Sequence, residues 1–95
     1  MARYQIVSWK TIPAVVEVRD GAESVTRELG ERFQALIDSL AMQLGLESED
    51  AYLEAWSRGA PQERPGSARE VAEAVAAELE SRFPEFANQV FRRSP

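Results

Sequence analysis

Ninety-five residues with sixteen acids against eleven bases, a net charge of −5 and 44% hydrophobic content describe one small globular domain. The chain has no cysteine and no histidine, which excludes disulfides, Cys/His zinc sites, thiol nucleophiles, Ser–His relays and histidine pH switches. The charge concentrates in residues 31–60, with two bases and six acids, and no segment forms the basic stripe that holds nucleic acid or an anionic membrane.

Residues 3–9 are rich in β-branched and aromatic types and predict a first strand. After a break at Lys10 and Thr11 the chain alternates: Ile12, Ala14, Val16 and Val18 face one way, Pro13, Val15, Glu17 and Arg19 the other. Pro13 lacks an N–H and so belongs at a strand start or an edge. Asp20-Gly21 marks a tight turn into a weaker third strand near residues 23–28, where Val25 is the main apolar residue.

The period then changes to helical. Phe33, Leu36, Ile37, Leu40, Ala41 and Leu44 form an amphipathic stripe, and Gly45 follows as a helix-ending glycine. Ser48 is the natural N-cap of a second helix running to about Ser57, with Tyr52 and Trp56 as an i, i+4 pair. Residues 58–66 hold two prolines and two glycines and predict a loop. Ser67 and Glu70 form a capping box that opens a third helix, striped by Val71, Ala72, Val75, Ala76, Leu79 and Phe83. Pro84 breaks or restarts it, and Phe86, Val90 and Phe91 make a short amphipathic tail.

These elements predict an α+β single domain over residues 1–95. A small antiparallel β-meander of two or three strands (about 3–29) precedes three to four helices (about 31–92) packed on one face. No apolar run reaches the ~20 residues of a membrane span. Met1-Ala2-Arg3-Tyr4 does not lead into an apolar signal segment, so the expected compartment is the cytoplasm.

Three stretches carry a family resemblance: Val7 to Val16 with its Trp9-Lys10-Thr11-Ile12-Pro13 strand entry, Arg27 to Phe33, and Asp50 to Gly59 with Tyr52-Leu53, Trp56 and Arg58. Over about residues 4–60 the chain resembles a small single-domain bacterial family labelled "virulence factor". A related domain occurs in larger proteins called conserved virulence factor C, beside HEAT-like repeats and a domain similar to iron–sulfur scaffold N-terminal domains. The label describes a phenotype, no catalytic residues or cofactor are established for the family, and the resemblance implies an accessory or interaction module more than an enzyme. The neighbouring metal chemistry does not transfer to a chain without cysteine.

Candidate sites follow from the remaining chemistry. Glu47, Glu49, Asp50 and Glu54 could gather a hard cation, but acids at a helix start already complement its dipole and no calcium-loop spacing is present. Glu70, Glu73 and Glu80 read as the solvated side of the third helix. Trp9, Lys10 and Pro13 could present an exposed aromatic beside a charge, or Trp9 could close one end of a small core. Tyr52, Trp56 and Arg58 are residue types enriched at interface anchors. No phosphate loop and no nucleophile elbow appears.

The expected function is therefore a non-enzymatic protein-interaction module, with apolar residues on both faces of the first strand (Tyr4 and Ile6; Val7 and Trp9) seeking cover. The expected partner is another protein or a second copy in a homodimer, with no nucleic acid, membrane, cofactor, metal or catalytic residue. The alternative is a small ligand-binding or enzymatic subunit using Arg58, Arg64 and carboxylates in a cleft near the 58–66 loop.

Overall fold

The computed structural model describes residues 1–46 and 48–91. Five strands form one antiparallel sheet: β1 (Ala2–Trp9), β2 (Ile12–Asp20), β3 (Glu23–Glu28), β4 (Trp56–Arg58) and β5 (Gln62–Arg64). The helices are α1 (Glu31–Leu44), α2 (Glu49–Glu54), α3 (Ala68–Ser81) and α4 (Phe83–Phe91). The α+β class is as the sequence predicts, but the sheet is larger than two or three strands.

β1 lies at the centre. One side pairs with β2, which in turn pairs with β3; the other is shared by β4 along Val7–Trp9 and β5 along Ala2–Tyr4. The expected second helix stops at Glu54, so Trp56 sits on β4 opposite Trp9 rather than one helical turn beyond Tyr52. Tertiary pairing here overrides a local i, i+4 pattern. The expected 58–66 loop likewise contains β5.

Two register shifts shape this sheet. From the two-residue turn at Lys10 and Thr11, Trp9 pairs with Ile12 and Ser8 with Pro13; the pairing then jumps to Val7 with Val15. Ala14 is thus the extra residue of a β-bulge. Buried Pro13 adjoins it, beyond the last β2–β3 pair at Val15 and Glu28, where its missing N–H leaves no ladder bond unmade. Across β1, the pairs Val7–Arg58 and Tyr4–Gln62 leave one extra residue within 59–61, and the Gly59 N–H donates to the Ile6 carbonyl at 2.9 Å.

One sheet face packs on helices. Ile6 opposite Val16 and Tyr4 opposite Val18, itself opposite Val25, form its apolar row. The α3 stripe (Val71, Ala72, Val75, Ala76 and Leu79) and the α1 stripe (Phe33, Leu36, Ile37, Leu40 and Ala41) are buried in the same hydrophobic cluster. Leu44 and Phe91, expected in the stripes, are exposed. Phe83 and Phe86 of α4 meet Phe33 edge-on, with ring centroids 5.2 and 6.1 Å away.

Capping follows the predicted residues. Ser48 accepts the Ala51 N–H, and Ser67 and Glu70 complete their reciprocal box. Gly45 ends α1 in the left-handed region at φ 69°. The start of α1 is different. Gly30 offers no capping oxygen, and its own N–H donates to Glu80 Oε2 on α3 at 2.6 Å. A Cβ at position 30 would come within 3.1 Å of that oxygen, so close approach favours glycine. Glu80 also receives Arg32, and this half-buried carboxylate is a tie between helices rather than a solvated side chain.

Trp9 is fully buried. Its Nε1 donates to the Tyr52 carbonyl at 2.8 Å, and the Trp9 and Tyr52 rings lie 5.4 Å apart. Trp9→Ala is expected to cost about 3–5 kcal/mol by leaving a cavity. Trp9→Phe, which keeps most of the apolar contact but loses the indole bond and leaves that carbonyl only the Ala55 N–H, is expected to cost about 0.5–1.5 kcal/mol. Urea unfolding measures both; an unchanged midpoint in Trp9→Ala would contradict a core role.

Candidate functional site

The six sequence candidates divide sharply. Trp9 and Pro13 are buried and so do not form a contact surface, and their expected partner role is corrected to a structural one. Lys10 is exposed but serves as the turn residue, at φ 56°, with its N–H donating to the Ala55 carbonyl. Tyr52 and Trp56 are half-buried and pack edge-on at 6.1 Å, and Tyr52 Oη accepts from Gln34 Nε2 at 2.9 Å. Together with Trp9 they seal the turn end of the sheet against α2. Arg58 is exposed as well, and it stands opposite Val7 on the uncovered sheet face.

That face carries polar rows, not the apolar surplus expected from β1. Arg3 stands directly opposite Arg19, which stands opposite Ser24; Gln5 stands opposite Glu17, which stands opposite Thr26. Val7 and Val15 are the apolar pair of this face and are half-buried. A shallow concavity of about 610 Å³ lies over these rows, with Arg58 and Pro61 at its edge.

The electrostatics of the hollow are uneven. Arg58 holds Glu17 with two bonds, Nε to Oε1 at 2.8 Å and Nη2 to Oε2 at 3.3 Å. The Arg58 hydrogen bond holds the Glu17 carboxyl below its ordinary pKa, with Arg58 and Arg19 charges adding to it and desolvation opposing. Gln5 is occupied by the Gly59 carbonyl. Among the described residues, neither Arg3 nor Arg19 makes a side-chain hydrogen bond or ion pair, although Glu63 is the β5 neighbour of Arg3. Like charges directly opposite on neighbouring strands repel. Two facing arginines without a counter-ion are a cost to the fold that a bound anion would relieve.

Sequence reasoning missed this pair. Alternation puts Arg19 on the side of Glu17, but nothing local sets Arg3 beside it; that depends on the Ala14 bulge. The alternative cleft gathering Arg58 and Arg64 does not form. Arg64 lies opposite buried Ala2 on the helix-covered face and is bound there by Glu78 of α3, at 3.1 and 2.6 Å. The acidic group at α2 binds no metal-like cluster: among the described residues no three carboxylates converge. Glu47 lies outside the described residues.

Two measurements check these assignments. Glu17, Glu78 and Glu70 all have lowered pKa values, the first two from their arginine partners and Glu70 first from the Ser67 N–H. Each therefore contributes stability that is present above the ordinary glutamate value of about 4.3 and is lost as pH falls through the lower folded value. Glu17→Gln is expected to lower stability slightly at neutral pH, the pair being largely exposed, and to shrink the acid-side loss in a urea–pH series by the same small amount. Arg19→Thr is expected to raise the urea midpoint slightly by removing the facing charge, the opposite sign to loss of a structural arginine.

Comparison with known proteins identifies a family. Residues 7–89, most of the chain, match the family described as "Virulence factor". The match includes Glu17, Arg19 and Arg58, begins after Arg3, and extends well past the residue 60 limit of the sequence resemblance. No curated protein and no solved structure matches the chain. No helix among the described residues is long and apolar enough to cross a membrane. By its sequence match this chain belongs to the virulence factor family, as a small domain.

Proposed function

We propose that the chain is a non-enzymatic interaction module that receives an acidic segment of another protein on the open face of its sheet. The observation that carries this reading is the facing pair Arg3 and Arg19, which among the described residues have no side-chain partner in a chain of net charge −5, while Glu17 is held by Arg58. The other surfaces of the sheet support it by elimination. One face is packed on α3 and α1. The β3 edge carries Glu23, Arg27 and Glu28, and the opposite edge is two three-residue strands interrupted by a bulge with Pro61, flanked by Pro65. Both edges resist strand addition.

A second occupant has an observation in its favour. Residues 31–60 carry most of the net negative charge, so a second copy could supply the acidic segment from the start of α2, at Glu49 and Asp50. Light scattering across protein concentration separates the two: a dimer that dissociates in Arg3→Glu/Arg19→Glu favours self-association, and a monomer throughout favours a foreign segment.

The direct test is fluorescence anisotropy with a labelled Glu/Asp-rich peptide and its Gln/Asn counterpart. The acidic peptide is expected to bind the wild-type chain, more weakly as salt rises, and to lose at least tenfold in affinity for Arg3→Glu/Arg19→Glu. Equal affinity of both proteins for the acidic peptide would refute the site.

A further inference from the structure

Building on that reading, we infer that the group seated between Arg3 and Arg19 is the phosphate of a phosphorylated side chain in the bound protein segment. A carboxylate is satisfied by one guanidinium fork. Two guanidiniums on directly facing residues match a dianion with three free oxygens. The hydroxyls of Ser24 and Thr26, both exposed and in register with Arg19 and Glu17 respectively, add neutral donors along the same side of the hollow.

The carboxylate within the hollow is the chief obstacle to such a ligand, and Arg58 removes it. Glu17 is two residues from Arg19 on the same strand face, near enough for the Arg19 charge to act on it. Left alone it would fold onto Arg19 and quench the site. The bidentate bond from Arg58, which reaches over from β4, engages both Glu17 oxygens. Arg58 is thus a positioning residue: it keeps the arginine pair vacant by occupying the competing anion.

The surroundings select a protein segment over other carriers of phosphate. The hollow is open and shallow, which suits a chain lying across it rather than a small molecule needing enclosure. None of the large exposed apolar side chains, Met42, Leu44, Leu53 and Phe91 among them, lines it, so nothing there would enter a lipid layer. A chain of net charge −5 also repels nucleic acid and anionic membrane outside this spot.

The test uses three labelled peptides identical except for a central Ser, Glu or phosphoserine, each flanked by acidic residues, titrated by anisotropy against folded proteins verified by circular dichroism. The wild-type chain is expected to bind the phosphoserine peptide at least tenfold tighter than the Glu peptide. Arg19→Ala is expected to abolish that preference. Arg58→Ala is expected to weaken phosphoserine binding several-fold, and Arg58→Ala/Glu17→Gln to restore it, a rescue that a direct phosphate contact by Arg58 would not allow. Equal affinity for the phosphoserine and Glu peptides overturns the phosphate inference and leaves the acidic-segment reading intact. No affinity for either overturns both, and failure of the rescue overturns the role of Arg58.

Discussion

One residue out of register organises this molecule. If the pairing set at Trp9 and Ile12 continued unbroken, Arg3 would face Val18 and Gln5 would face Val16, mixing polar and apolar rows on both sides of the sheet. The Ala14 bulge moves the frame by one. Tyr4 and Ile6 then meet Val18 and Val16 beneath α3, and Arg3 and Gln5 meet Arg19 and Glu17 on the open side. The helix-covered core and the cationic hollow are two consequences of the same inserted residue.

The bulge also explains what could and could not be read from the chain. The α1 and α3 stripes and their caps follow from local rules, since a 3.6-residue period and a serine–glutamate box act within a few residues. β4 and β5 escape such rules. They are three residues each, separated by residues 59–61, and exist because β1 offers an unpaired edge. Tyr52 and Trp56 satisfied a helical spacing that the competing pair Trp9–Trp56 overrode. Arg58 was legible as a recognition residue by type alone, whereas the value of Arg3 depends on a partner sixteen residues away and on the frame that joins them.

Arginine has two uses on this sheet, and the face decides between them. On the covered side, Arg27 of β3 and Arg64 of β5 reach Glu73 and Glu78 of α3 and flank that helix from both sheet margins. Such exposed pairs contribute little individually; the buried α3 stripe is what seats the helix on the sheet. On the open side Arg58 answers Glu17, and among the described residues no side chain pairs with Arg3 or Arg19. An acidic protein has acids to spare, so two facing arginines without one mark a place where intramolecular neutralisation is withheld.

The bond from Gly30 to Glu80 spans fifty residues of sequence. α3 carries its own cap in Ser67 and Glu70, but α1 acquires one only when the end of α3 arrives. Closing so long a loop carries an entropic cost before any reward is gained. During synthesis α1 is therefore made well before its leading amide finds its partner, and a ribosome-bound chain ending before residue 80 holds that amide exposed. Completion of the fold waits on the C-terminal third, which makes the two ends of the chain cooperative in time as well as in space.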